Sequence, residues 1–150
     1  MKVIIRDNKT SDEETTDADI APPGDVSVIV PAMNEEQSIV LLLEALAAQT
    51  HRPAEVVVAD GGSIDRTREL VRDFQKRAPF PVVLVETKRG LPGRNRNLAI
   101  ARATSEWIAC VDAGCVPRPD WLEKLFEAAR REPQARVVFG QYEALAESFF

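Results

Sequence analysis

Four short apolar runs, each breaking off into a cluster of polar or small residues, constrain this chain more than any other feature. Residues 26–30 run into Pro31-Ala-Met-Asn-Glu35, and residues 55–59 into Asp60-Gly-Gly-Ser-Ile-Asp65. Residues 82–86 lead to the basic turn Lys88-Arg-Gly-Leu-Pro-Gly-Arg-Asn95, and residues 107–111 to Asp112-Ala-Gly-Cys-Val-Pro117. Runs this uniformly apolar suit strands covered on both faces. Stretches with helical spacing separate them: Ile39, Leu42, Leu43, Leu46 and Ala47, then Thr67, Leu70, Val71 and Phe74, then a helix over 94–103 with Leu98 and Ala101 as core contacts. Leu122, Leu125, Phe126 and Ala129 mark a fourth helix, and residues 137–139 one more strand.

Strands alternating with helices of this length imply an α/β fold: a Rossmann-like, mostly parallel sheet with helices on both faces. In such a sheet the carboxyl ends of the strands share one edge, and ligands bind in the crevice there. The four polar clusters are therefore expected to meet. Pro31 should end the first strand, because proline has no N–H for the ladder. Asn34 with Gln37, and Asp120 with Glu123, have the spacing of capping boxes. Gly61 and Gly62 allow a tight turn and close approach of backbone to a ligand.

One hundred and fifty residues, 45% of them hydrophobic, suit one soluble globular domain. Residues 1–24 hold three of the 19 basic and six of the 24 acidic side chains, and read as a mobile acidic leader. The remainder, residues 25–150, is nearly balanced at −2, which gives no general attraction to nucleic acid. Cys110 and Cys115 are too few and too isolated for a disulfide framework or zinc site, and His51 stands alone in a helix-to-strand connection. A cytoplasmic location is the simplest inference, with the inner face of a membrane also open. No stretch of the sequence approaches the ~20 apolar residues of a transmembrane segment.

Neither the G-x-G-x-x-G dinucleotide fingerprint nor the P-loop follows Val30. What does follow, in order, is "VSVIVPAMNEE", "VVVADGGSIDRT", "GLPGRNRN" and "WIACVDAGCVPRPDWL". This ordered set resembles family 2 of the inverting glycosyltransferases, which have the GT-A fold, over roughly residues 25–142. The resemblance implies a nucleotide-sugar-binding part of such a domain in residues 25–150, with the sheet expected to be truncated at its C-terminal end.

By resemblance, Pro31, Ala32, Asn34 and Glu35 belong to donor binding. Asn34 also suits a helix cap, and Glu35 a first-turn acid facing the helix dipole. Asp60 takes the place of the residue that reads base and ribose, although the usual second aspartate of that cluster is Gly61. Arg94 and Asn95 match the family's Ala-Arg-Asn-x-Gly cluster, and a guanidinium at a helix start suits a diphosphate. Lys88, Arg89 and Arg96 read as solvated charges, with Lys88 also within possible reach of phosphate. Asp112 matches the first residue of the family's Asp-x-Asp metal motif, with Gly114 in place of the second. A divalent cation, Mg²⁺ or Mn²⁺, held by one carboxylate and substrate phosphates is compatible with this.

The implied reaction moves a sugar from a nucleoside-diphosphate donor to an unknown acceptor hydroxyl, with inversion. A cation at Asp112, with Arg94, would stabilise the leaving diphosphate. The attacking hydroxyl also needs a general base, and none is identified; Glu143 and Glu147 match no pattern of the family. Two other readings stay open: a non-catalytic nucleotide-sugar-binding or interaction module with the same fold, and a nucleotidyltransferase. The chain is expected to be the donor-binding half of a longer enzyme. Apolar residues Phe139, Phe149 and Phe150 predict self-association or contact with a missing C-terminal region.

Overall fold

The computed structural model describes residues 2–6, 25–88, 92–132 and 135–140. In chain order its elements are β1 (Lys2–Arg6), β2 (Val26–Ala32), α1 (Ile39–Ala47), β3 (Glu55–Asp60) and α2 (Thr67–Gln75). There follow β4 (Val82–Glu86), α3 (Pro92–Arg102), β5 (Trp107–Cys110), α4 (Trp121–Arg131) and β6 (Val137–Gly140). The six strands form one sheet in the order β4-β3-β2-β5-β1-β6. The first four run parallel, while β1 pairs antiparallel with both β5 and β6.

The expected α/β architecture, a mostly parallel sheet between helical layers, is what the structure shows. Side chains alternate across the sheet, so Val28, Val30, Val56 and Val58 pack with α1, α2 and α4 on one face. Ile29, Val57, Ala59 and Ile108 pack with α3 on the other. The β2, β3 and β5 residues in both layers are almost fully buried, which is why their sequences read as continuous apolar runs. His51 sets its ring edgewise against Phe126 with centroids 4.5 Å apart, a packing role.

The chain's course makes a topological switch. From β2 it moves outward through β3 to β4, then returns to place β5 on the other side of β2. In parallel sheets a crevice opens at the carboxyl ends of the strands where the winding reverses. Here that point lies between the end of β2 and the end of β5.

Several local expectations need correction. Lys2–Arg6, read as the start of the leader, is a strand inserted between β5 and β6; the β-branched run Val3-Ile4-Ile5 favours that state. Residues 7–24 of the leader lie outside the described residues. Pro31 does not end β2, which continues through it to Ala32 beside Asp60. The pairing of β2 with β5 stops at Ile29 and Cys110, and Ile29 turns its carbonyl toward Val111. Pro31, two residues on, would direct its missing N–H to that same unpaired side, so the ladder loses nothing.

Neither capping box forms. The Asn34 side chain accepts from Ile64 N–H instead, and Glu123 accepts from the Thr50 hydroxyl. The amide of Leu122 at the start of α4 is satisfied by Gln49 from the end of α1, at 3.1 Å. On α3 the buried face is Asn95, Ala99 and Ala103, while Ala101 is exposed and Leu98 half-buried. Small residues four apart let this helix lie close on the sheet. Phe139 is exposed as expected; Glu143, Glu147, Phe149 and Phe150 lie outside the described residues.

Candidate functional site

The loops after β2 and β3 are tied to each other. Three successive amides entering α1 donate across to the second loop: Asn34 N–H to Ser63 Oγ at 2.8 Å, Glu35 N–H to Thr67 Oγ1 at 2.8 Å, and Glu36 N–H to Asp65 Oδ2 at 3.1 Å. The second loop returns two amides, Ile64 N–H to Asn34 Oδ1 at 2.9 Å and Arg66 N–H to Glu36 Oε2 at 3.0 Å. Each loop thus supplies the other with the acceptors that helix starts require. Asn34 adopts φ +57 to do this, a left-handed conformation asparagine tolerates better than most residues.

Asp60 is fully buried and its carboxylate turns into its own loop. It accepts from Gly62 N–H and Ser63 N–H, both at 3.0 Å to Oδ2, and from the Ser63 hydroxyl, with Arg68 Nε 3.5 Å away. Its backbone carbonyl accepts from Thr87 N–H and from the Thr87 hydroxyl, which also lies 3.5 Å from Asn95 Oδ1. Gly62 has φ +95, and a Cβ there would meet the Lys88 carbonyl oxygen at 2.8 Å. The glycine anticipated as room for a ligand therefore first makes room for a neighbouring backbone. Between this loop and the end of β4 lies a groove of about 550 Å³, bordered by Gly62, Ser63, Ile64, Arg68, Glu86, Thr87 and Lys88.

Two carboxylates at this edge, Glu86 and Asp65, are shifted toward ionisation. Burial tends to raise Glu86, but hydrogen bonds and charge from Arg72 and Arg68 outweigh it and bring its carboxyl below the usual range. Burial likewise opposes ionisation of Asp65, which the Thr67 hydroxyl, the Thr67 amide and the Glu36 amide together bring down. The Glu35 carboxylate accepts from the Ser38 hydroxyl, beside the first turn of α1.

On the other side of β2 stands Asp112, just past β5 and two strand spacings, roughly 10 Å, from the β3 end. It is half-exposed and pairs with Arg96, Nη2 to Oδ1 at 3.3 Å. Arg96, read from sequence as a solvated charge, also donates from Nε to Cys110 Sγ at 3.2 Å. Burial pushes the Cys110 thiol up, and the guanidinium offsets only part of that. No local pattern of residues encodes this pairing, which follows from α3 packing over β5.

The sequence-predicted residues therefore gather at one edge in two groups. Ala32, Asn34, Asp60 and Asn95 make the groove side, where Ala32 accepts from Gly61 N–H at 2.8 Å. Pro31 is half-buried within β2 and Glu35 half-buried beside it, Arg94 is exposed near the start of α3, and Asp112 makes the second group. Ser63, Arg68, Thr87 and Arg96 join them as residues the motifs did not single out. A cation is compatible with Asp112, since the carboxylate is half-exposed and at the crevice, although no group of three histidine, cysteine or acidic residues gathers among the described residues. A second cavity, about 330 Å³, lies between α4 and β6 and is bordered by Trp121, Leu125, Ala128, Val138 and Phe139.

In sequence and in fold the chain is similar to known glycosyltransferases. Glycosyltransferase AglE of Haloferax volcanii is 35% identical over 101 residues, covering 66% of this chain and 33% of AglE. Poly(ribitol-phosphate) beta-N-acetylglucosaminyltransferase TarS of Staphylococcus aureus is 39% identical over 89 residues, covering 58% of this chain and 16% of TarS. The chain thus spans a third or less of these relatives. The solved structure of TarS 1-349 in complex with UDP-GlcNAc superimposes with a TM-score of 0.65 at 30% identity, over 73% of this chain and 32% of that one. Mannosyltransferase PcManGT of Pyrobaculum calidifontis, in complex with GDP-Man and Mn²⁺, gives 0.58 at 33% identity, over 69% and 35%. Residues 27–150 match Glycosyl transferase family 2, and the chain belongs to that family.

Proposed function

We propose that this chain binds the nucleoside-diphosphate sugar of a family 2 glycosyltransferase and presents it for transfer to an acceptor hydroxyl. The observation that carries the reading is the convergence of the locked loops after β2 and β3, the start of α3 and Asp112 at one sheet edge, beside the groove. TarS, whose fold this chain shares, has been solved with UDP and with UDP-GlcNAc.

The groove between Gly62 and Lys88 takes the nucleoside. Asp60, its carboxylate turned inward, holds the groove's shape and reads the base through the backbone it fixes. Ala32, Asn34 and Glu35 border the entrance from the β2 side, with Pro31 as their rigid base, and Asn95 ties α3 to the groove through Thr87. The diphosphate lies toward Arg94 and Asp112. Asp112 would hold a divalent cation, which would supply charge stabilisation for the leaving diphosphate, and Arg94 adds a planar set of donors for its oxygens. The attacking hydroxyl belongs to the acceptor, and no residue of the chain is assigned as its base.

A non-catalytic binding module with the same fold is the second reading. Asp60 spends its acceptors internally, and Gly114 stands where a second metal carboxylate would be. Calorimetric titration of UDP and GDP, with and without Mn²⁺, tests both readings when combined with an assay for diphosphate release from a donor sugar. Binding that Mn²⁺ tightens and Asp112→Ala weakens, together with release, supports the enzyme. Binding without release favours the module, and no binding by a folded chain refutes the donor site.

A further inference from the structure

Arg96 sits beside a departure from the family's pattern. Gly114 supplies no second carboxylate, and a Cβ built on it would meet nothing within 4 Å, so no side chain fills the space beside Asp112 from that position. Into this neighbourhood α3 delivers a guanidinium, from the position of the pattern's unspecified residue between Asn95 and Asn97. Its reach is fixed at two points, Cys110 Sγ at 3.2 Å and Asp112 Oδ1 at 3.3 Å. Cys110 is only 4% exposed, so its sulfur holds Nε at a buried point on the sheet.

We propose that Arg96 is a competing cation at Asp112, so that its guanidinium and a divalent ion hold that carboxylate in turn. The inference rests on the donor-site reading above and goes beyond it by assigning a residue that sets metal dependence. A guanidinium and a divalent ion at one carboxylate repel each other, and their separation of a few ångströms leaves little solvent to screen them. Arg96 therefore weakens the ion's hold on Asp112. Once displaced, it remains tethered to α3 beside the diphosphate, where its planar fork matches phosphate oxygens. Without the ion, the same positive charge still stands beside Asp112 at the crevice, where the donor's diphosphate is placed. Arg96 thus gives the site part of the electrostatic work of a metal and lowers its need for one.

The test is Mn²⁺ binding to the UDP-saturated protein, corrected for Mn²⁺ bound by free UDP and followed by electron paramagnetic resonance, for wild type, Arg96→Gln, Arg96→Lys and Asp112→Ala. Arg96→Gln is expected to bind Mn²⁺ about fivefold tighter, the upper range for a half-exposed ion pair, with Arg96→Lys between it and wild type. Asp112→Ala should lose the ion. In parallel, UDP titrated without metal should bind Arg96→Gln several-fold more weakly than wild type. A merely structural Arg96 would weaken both ligands and could not strengthen one. Equal or weaker Mn²⁺ binding by folded Arg96→Gln and Arg96→Lys, or no Mn²⁺ binding by any of the proteins, overturns the proposal. UDP binding by wild type in that case leaves the donor-site reading standing, so the two failures are distinguishable.

Discussion

The backbone N–H of Asn34 donates to the hydroxyl oxygen of Ser63 at 2.8 Å, and that same hydroxyl donates to the buried carboxylate of Asp60. One side chain thus joins the loop after β2 to the loop after β3 and orients the acid between them. The groove keeps its form through this bridge, and the stability of the edge depends on it.

Ser63→Ala removes the bridge, leaving the Asn34 amide without its acceptor and Asp60 without one donor. Unfolding by denaturant should show a loss of about 1–3 kcal/mol, and UDP should bind more weakly. An unchanged midpoint with unchanged UDP affinity would refute the bridging role.

Gly62 is held by two independent demands, φ +95 and the Lys88 carbonyl oxygen 2.8 Å from any Cβ. Gly62→Ala should therefore cost roughly 2–3 kcal/mol, as left-handed strain adds to a backbone clash. Gly93, within α3 and with nothing near its would-be Cβ, is the control. Gly93→Ala should be neutral or stabilising by up to about 1 kcal/mol. Thermal melts of the two variants would expose an error in either direction.

At the opposite edge Glu55 is a buried carboxylate with three donors on Oε1: the Ser27 hydroxyl at 2.6 Å, Thr104 N–H at 2.6 Å and the Thr104 hydroxyl at 2.7 Å. Burial raises its carboxyl, but these bonds and the Arg102 charge outweigh it, and the folded-state value lies below the ordinary one. A depressed folded pKa means stability that is fully present above the unfolded value, about 4.3, and is lost as pH falls through the folded value. Glu55→Gln should lose roughly 1–3 kcal/mol at neutral pH, and the gap from wild type should narrow in acid. A gap that stays constant from neutral pH to about pH 3 would contradict the ionised-state assignment.

Gly114→Asp places a carboxylate in open space one residue beyond Ala113. Mn²⁺ affinity should rise several-fold, because a second acidic ligand adds charge at the crevice. If affinity does not change, the cation does not bind at Asp112.

Much of this was legible in the sequence, and the reason is burial. Val28, Ile29, Val57 and Val58 are covered on both faces, so their segments could only be parallel strands, and Val71 with Phe74 fixed the face of α2. Motif order placed Asn34, Asp60, Asn95 and Asp112 at one edge of the sheet, where the structure also has them. What escaped depends on who is adjacent in space. Asn34 has the spacing of a local cap, yet its partners are 29 and 30 residues away. Arg96 lies among other basic residues, and only the packing of α3 over β5 gives it Asp112. Lys2–Arg6 was hidden by the acidic residues that follow, since strand pairing with β5 and β6 is a long-range event.

The most direct measurement is the amide chemical-shift map of the isotopically labelled protein during titration with UDP and Mn²⁺. The account predicts the largest shifts at Gly62, Ser63, Thr87 and Lys88 around the groove, with Asp112 responding to the metal. Shifts confined to Trp121, Phe139 and Gly140, at the cavity between α4 and β6, or none at all, would contradict it.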